Sequence, residues 1–231
     1  MELPSIQFNG ISWSVFRLGE SSFQLTPNDK KNTLGLIHDT IQKIEDSKSQ
    51  NLIDIISSYF SMTLIFNDPN IDLISFLSVV DTSKPIDSKT NKASYRIPVC
   101  YDLGLDWKEM ELATGLAKKE IVAIHSGQEY TIAMIGFLPG FIFLDGLDNR
   151  IHVSRRSVPR VSIPEGSVGV GGTQTGIYSL ESPGGWQIIG RTKSTLFNVN
   201  QIPPTRYKAG EKVIFDSISE DEYLNDEGLD G

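Results

Sequence analysis

The sequence predicts an α+β chain in two parts, a helix-bearing N-terminal half and a glycine-punctuated β half after it. Three observations carry this. Residues 136–192 hold 11 of the 20 glycines, with Pro139, Pro159, Pro164 and Pro183 beside them. Breakers at that density exclude a long helix. Yet Phe137, Phe141, Phe143, Ile177, Tyr178, Trp186, Ile188 and Ile189 are interleaved with them, which reads as short strands in a compact sheet or barrel. Upstream, Leu34, Ile37, Ile41 and Ile44 recur at helical spacing. Between the halves, residues 81–94 (DTSKPIDSKTNKAS) are polar and aperiodic, as a linker or exposed loop would be.

Each element follows from local pattern. Residues 11–17 and 21–26 alternate as strands around a Gly19-Glu20 turn, and a helix is predicted over 32–48. Strands at 51–57 and 61–66 precede a second helix that starts after Asp68-Pro69-Asn70 and runs through Leu73, Phe76, Leu77 and Val80. With a strand at 95–101, the order from residue 21 is β-α-β-β-α-β, a ferredoxin-like split βαβ arrangement. Helices at 106–114 and 118–124 follow, the second ending at His125-Ser126-Gly127. A strand at 129–137 then leads into the glycine-rich region, and 212–215 closes the fold. The predicted domains are 1–88, 89–217 and an acidic, disordered tail at 218–231.

Charge is concentrated in that tail. The chain carries 21 basic and 29 acidic residues, net −8. No Lys or Arg follows Lys212, while Asp216, Glu220, Asp221, Glu222, Asp226, Glu227 and Asp230 supply −7, which leaves a body near −1 (−8 minus −7). A near-neutral body lacks the basic footprint of a nucleic-acid binder. Cys100 is the only cysteine, so neither an intrachain disulfide nor a cysteine-built metal site is available. The N-terminus lacks the pattern of a signal peptide, and the apolar run 132–144 is broken by Gly136, Pro139 and Gly140, short of a bilayer span. A soluble, cytoplasmic protein is expected.

Familiar catalytic signatures fail one by one. Gly171 to Gly176 has the glycine spacing of a phosphate-binding loop, but Ile177 and Tyr178 stand where Lys and Ser/Thr are required. Gln174 occupies the third glycine position of a dinucleotide fingerprint. No serine sits in a nucleophile elbow, and His38, His125 and His152 have no metal-ligand pairing. There is no biotin-carrier motif. What remains is a set of polar residues on a β framework. Arg155, Arg156 and Arg160 read either as a site for an anionic ligand or acidic partner, or as a solvated edge-strand face. His125 reads as a general acid/base or as a structural residue in a last helical turn, where the helix dipole favours its protonated form. Trp186 reads as core or groove floor. Arg191 and Thr192 either point into a cleft or cap a loop. His38 and His152 read as surface residues.

Three segments, HSGQEYTIAMIGFLPGF (125–141), VPRVSIPEGSVGVGGTQTGIY (158–178) and SPGGWQIIGRT (182–192), together resemble the family of 5-oxoprolinase B-type subunits. It is also called allophanate hydrolase subunit 1, or the KipI family. The resemblance covers nearly the whole chain except the acidic tail. It implies an N-terminal ferredoxin-like domain followed by a C-terminal cyclophilin-like β-barrel. It further implies a non-autonomous subunit of an ATP-dependent 5-oxoprolinase. Its partners would be a C-type subunit, of the allophanate hydrolase subunit 2 kind, and an A-type subunit, of the LamB/YcsF kind. ATP would then be held on, or shared with, another subunit, with no metal or biotin on this chain. Two alternatives belong to the same family: half of a urea carboxylase or allophanate-type carboxyltransferase, and a KipI-like inhibitor of a sensor histidine kinase. By position, the resemblance places His125, Gln174 and Arg191 as catalytic candidates. It sets Pro139, Gly140, Phe141, Thr175, Tyr178, Gly184, Gly185, Trp186 and Thr192 around a barrel cleft as binding candidates, and the cluster arginines Arg155 and Arg160 join them as anion contacts. Departures from the family pattern fall at Ile142-Phe143, Gly172 and Ser179.

Overall fold

The structure, a computed structural model, describes residues 2–29, 31–83 and 93–225. The chain forms two compact units, Met1–Asn91 and Lys92–Gly231. The predicted boundary at residue 88 lies outside the described residues.

The first unit is a five-stranded antiparallel sheet with two helices. Strands β1 (Glu2–Phe8), β2 (Ile11–Arg17), β3 (Ser22–Pro27), β4 (Leu52–Ser57) and β5 (Met62–Phe66) run in the order β1-β2-β3-β5-β4. Helix α1 (Thr33–Asp46) connects β3 to β4, and β5 inserts between those two strands, as a split βαβ requires. Alternation along β2, β3 and β5 sends Trp13, Val15, Phe23, Leu25, Met62, Leu64 and Phe66 to one face. There they form a core with Ile37 and Ile44 of α1 and with Leu73, Phe76 and Leu77 of α2 (Leu73–Ser78). Asp72 caps α2 by accepting from the Ile74 amide at 3.1 Å. Two expectations change here. His38 is buried on α1 instead of standing at the surface. The strand expected at 95–101 does not join this sheet, because β2 occupies the place beside β3.

That strand, β6 (Ser94–Cys100), belongs to the second unit, a closed seven-stranded barrel. Its other strands are β7 (Glu129–Ile135), β8 (Ile142–Asp145), β10 (Ser167–Gly171), β11 (Gln174–Ile177), β13 (Gln187–Arg191) and β14 (Lys212–Ile218), in the order β10-β11-β8-β7-β14-β6-β13. Strand β14 pairs parallel with β6 and antiparallel with β7. Alternation fills the interior with Ile97, Val99, Tyr130, Ile132, Ile142, Leu144, Val168, Val170, Ile177, Ile189, Val213 and Phe215. Helices α3 (Trp107–Thr114) and α4 (Lys118–Ser126) pack on the barrel through Met110 and Ile121. A separate ribbon pairs β9 (Arg160–Ile163) with β12 (Ser182–Gly184).

The acidic end is not a disordered tail throughout. Asp216 lies in β14 and pairs with Arg96, and Glu220–Asn225 form helix α5. Tyr223 anchors that helix, buried beneath the Lys193 ammonium, while Lys193 Nζ donates to the Leu224 carbonyl. An aromatic with a cationic partner is enough to dock a short acidic turn.

Candidate functional site

The glycine spacing in β10 and β11 acquires a physical meaning on the barrel's outer face. Gly169, Gly171 and Gly176 alternate with the inward-facing Val168, Val170, Thr175 and Ile177, so their bare α-carbons point outward. The Trp186 indole lies across Gly171 and Gly176. A Cβ on Gly171 would meet the indole at 2.6 Å, and one on Gly176 would meet it at 3.1 Å. Phe141, Tyr178, Ile163 and Ile188 complete this second core, with Phe143 and Leu138 at its margin. Phe141 meets Tyr178 and Trp186 edge-on at 4.9 and 5.6 Å. Ahead of it the GFLPG turn holds Phe137 at φ 69 with its ring two-thirds exposed, a conformation that costs a non-glycine residue energy.

Beside this face stands a clamp centred on Asp106, a residue that sequence reasoning treated only as the start of a helix. Its carboxylate is fully buried and makes no cap to α3. Oδ1 instead accepts from Arg156 Nη1 (2.8 Å) and Arg160 Nη2 (2.5 Å). Oδ2 accepts from Arg160 Nη1 (2.8 Å) and from the Ile188 amide (2.6 Å). The Leu105 and Asp106 amides both donate to the Ile188 carbonyl, so one short segment grips both sides of that residue. Two cations and an amide offset the desolvation of one carboxylate. The basic cluster therefore divides. Arg156 and Arg160 are committed to Asp106, and Arg160 in particular has its fork filled instead of open to a ligand. Arg155 is exposed, lies over the Trp186 ring at 5.7 Å, and has no carboxylate partner among the described residues.

His125 lies on the other side of the barrel wall, inside. It is completely buried, stacked on Phe215 at 4.7 Å, with Tyr101 Oη at 2.7 Å from Nδ1 and Thr175 Oγ1 at 2.8 Å from Nε2. Thr175 spends its hydroxyl proton on the Gly169 carbonyl (2.9 Å), so it accepts from Nε2–H, and Nδ1 accepts from Tyr101. Burial lowers the His125 pKa to about 3, so the ring is neutral. The protonated form expected from the helix dipole is thus overturned by desolvation. Both ring nitrogens are used internally, and no atom of His125 reaches solvent.

The other residues singled out from the sequence divide by location. Arg155, Phe141, Tyr178, Gly184, Gly185 and Trp186 gather on the outer face, where Gly184 lies against the Tyr178 hydroxyl and Gly185 O accepts from the Arg156 amide at 2.7 Å. Thr175 points inward with His125. Gln174 is half-buried at the start of β11. Pro139 and Gly140 sit at one barrel end, where Ser179 Oγ donates to the Pro139 carbonyl (2.6 Å) and Gly140, at φ 75, abuts Phe197. Arg191 Nε donates to the Glu165 carbonyl and Thr192 N to the Gly166 carbonyl, which ties the end of β13 to a turn. Gly172 turns the β10–β11 hairpin at φ 70, where alanine would be strained. A concavity of about 400 Å³ lined by Tyr101, Asp102, Lys118, Lys119, Val122, Ser217 and Ile218 lies elsewhere. Among the described residues no His/Cys/Asp/Glu group is placed to hold a metal, and no helix is long and apolar enough to cross a membrane.

Residues 13–207 match the family model for the carboxyltransferase domain, subdomain C and D. The chain belongs to this family. A relative from Bacillus subtilis (strain 168), named as the B-type subunit of 5-oxoprolinase, is 35% identical over 230 residues, covering 92% of this chain and 96% of its own length. A conserved uncharacterized protein from Pyrococcus horikoshii is 32% identical with a TM-score of 0.56, over 90% of this chain and 99% of that one. The Kluyveromyces lactis urea carboxylase matches 97% of this chain with a TM-score of 0.68, within 23% of its own length. At 15% identity that likeness concerns the fold alone.

Proposed function

We propose that this carboxyltransferase-domain chain is the B-type subunit of an ATP-dependent 5-oxoprolinase, which opens 5-oxoproline to glutamate only when assembled with A- and C-type subunits. The observation that carries the proposal is the 35% identity, over almost the full length of both chains, to a protein named as the B-type subunit of 5-oxoprolinase. On this reading the two units are the ferredoxin-like and cyclophilin-like domains of the family.

The surface chemistry supports a binding role more than an autonomous catalytic one. Arg155 is a fixed, uncompensated cation on an aromatic floor, which suits the carboxylate of 5-oxoproline. Gln174 and Arg191 keep their place as candidates that act on the substrate where subunits meet. His125 supports the site from within, through the Tyr101–His125–Thr175 chain of hydrogen bonds. On the glycine strands the Trp186 indole covers Gly171 and Gly176, where a phosphate cradle would need open backbone. On this reading the nucleotide is held on, or shared with, another subunit.

Purified chain, alone and mixed with its A- and C-type subunits, should be assayed for ADP and glutamate released from 5-oxoproline. Turnover is expected only in the mixture, with Arg155→Ala raising the 5-oxoproline KM by about tenfold or more. Turnover by the chain alone, or a formed complex inert towards 5-oxoproline, would refute the assignment.

A further inference from the structure

Two hydrogen bonds tie the neighbours of Arg155 to the neighbours of Trp186. Gln187 Nε2 donates to the Ser154 carbonyl at 3.2 Å, and the Arg156 amide donates to the Gly185 carbonyl at 2.7 Å. Arg155 is thus bracketed from both sides, opposite the ring it covers. Both brackets converge on Asp106. Its carboxylate holds Arg156 at one end and the Ile188 amide, two residues beyond Trp186, at the other. Arg160 locks the same carboxylate from the start of β9. Between the Val153–Gly172 bridge and the start of β9, Ser154, Arg155, Ser157, Val158 and Pro159 are all exposed. Arg156 Nε and Gln187 Oε1 are buried with no hydrogen-bond partner among the described residues.

We propose that Asp106 is a positioning residue: through Arg156 and the Ile188 amide it holds the Arg155 guanidinium over Trp186, and so pre-forms the carboxylate-binding face. This rests on the reading that Arg155 receives the substrate carboxylate. Asp106 itself touches no ligand, being sealed beneath the two arginines. Its contribution is to remove the disorder that an exposed arginine would otherwise lose on binding.

The test separates positioning from mere stability. Asp106→Asn combined with Arg160→Gln keeps the cluster's net charge and leaves one arginine, Arg156, without its carboxylate instead of two. In the full-length chain, the side-chain Nε–Hε resonance of Arg155, assigned by its loss in Arg155→Lys, should be displaced in the wild type by the Trp186 ring current. In the folded double variant it should return to the position of a free arginine. An unmoved resonance there would overturn the proposal. Arg156→Gln, which cuts one link only and leaves Asp106 paired, should give a partial return and serves if the double variant does not fold. In the assembled complex, the double variant should raise the 5-oxoproline KM about tenfold with kcat within about twofold, and adding Arg155→Ala should raise it no further. A loss confined to kcat, or an independent further rise, would refute positioning. If the wild-type mixture does not turn over 5-oxoproline, the substrate assignment fails while the Arg155 resonance still decides the role of Asp106.

Discussion

Single side chains in the barrel unit take their roles from burial and not from residue type. His125 and Asp106 are both titratable and fully enclosed, and each meets desolvation differently. His125 gives up its proton, while Asp106 acquires two guanidinium partners. The histidine makes a pH prediction whose sign follows from its lowered pKa. Folded His125 stays neutral down to about 3, while in the unfolded chain it protonates near its ordinary 6.5. The unfolded state therefore binds the extra proton as pH falls through that window. Stability is retained above pH 6.5 and is lost progressively towards pH 3. Between pH 7 and 5 the wild type should lose about 2 kcal/mol more than His125→Gln, read from urea midpoints. Equal losses would mean that His125 is reached by solvent and titrates normally.

At the scale of elements, the glycine strands are a platform. Gly171 is where a side chain would collide most directly with Trp186, at 2.6 Å from several indole atoms. Gly171→Ala should cost about 2 kcal/mol by lifting the ring or bending β10. In a Trp186→Ala background the same change should cost less than about 0.5 kcal/mol, because the obstacle is gone. Additive costs would place the strain in the backbone of β10 and not in the indole contact. The same platform gives the P-loop-like spacing a packing reason: Gly171 and Gly176 make room for the indole. Strand β6 makes the companion point. Its local pattern reads correctly as a strand, but its choice of sheet depended on β14, with which it forms seven register pairs from Ser94 to Cys100.

Among the described residues the two units are built on cores that share no residue, beside the smaller Phe141–Trp186 cluster on the barrel's outer face. One is built around Trp13, Leu25, Met62 and Leu64, the other around Tyr130, Ile142, Val168 and Phe215. A chain comprising residues 92–231 should therefore unfold cooperatively on its own, with native-like near-ultraviolet dichroism from Trp107 and Trp186. Gradual, non-cooperative melting would show that the barrel core is not self-sufficient.

Local alternation, caps and turn chemistry mark α1, α3, α4, strands β2 to β5 and the β character of 136–192, but leave β1 unpredicted. The motif resemblance pointed to the family, but it set Trp186, Tyr178 and Phe141 in one cleft with His125 and Thr175, which the structure separates from them inside the barrel. Other features were decided only by tertiary contact. Asp106 and Arg160 are 54 residues apart, and His125 and Thr175 are 50 apart. A helix-start aspartate carries no local sign that its carboxylate will turn from the helix to two distant arginines. The usable hint was a charge imbalance, three arginines with no nearby acid in a nearly neutral body. A histidine near a helix end likewise looks the same whether it faces solvent or the barrel interior. Short-range pattern determines which faces are apolar. The closing of the sheet into a barrel determines which polar groups are sealed inside, and that sealing sets their protonation and leaves Arg155, not Arg160, facing outward.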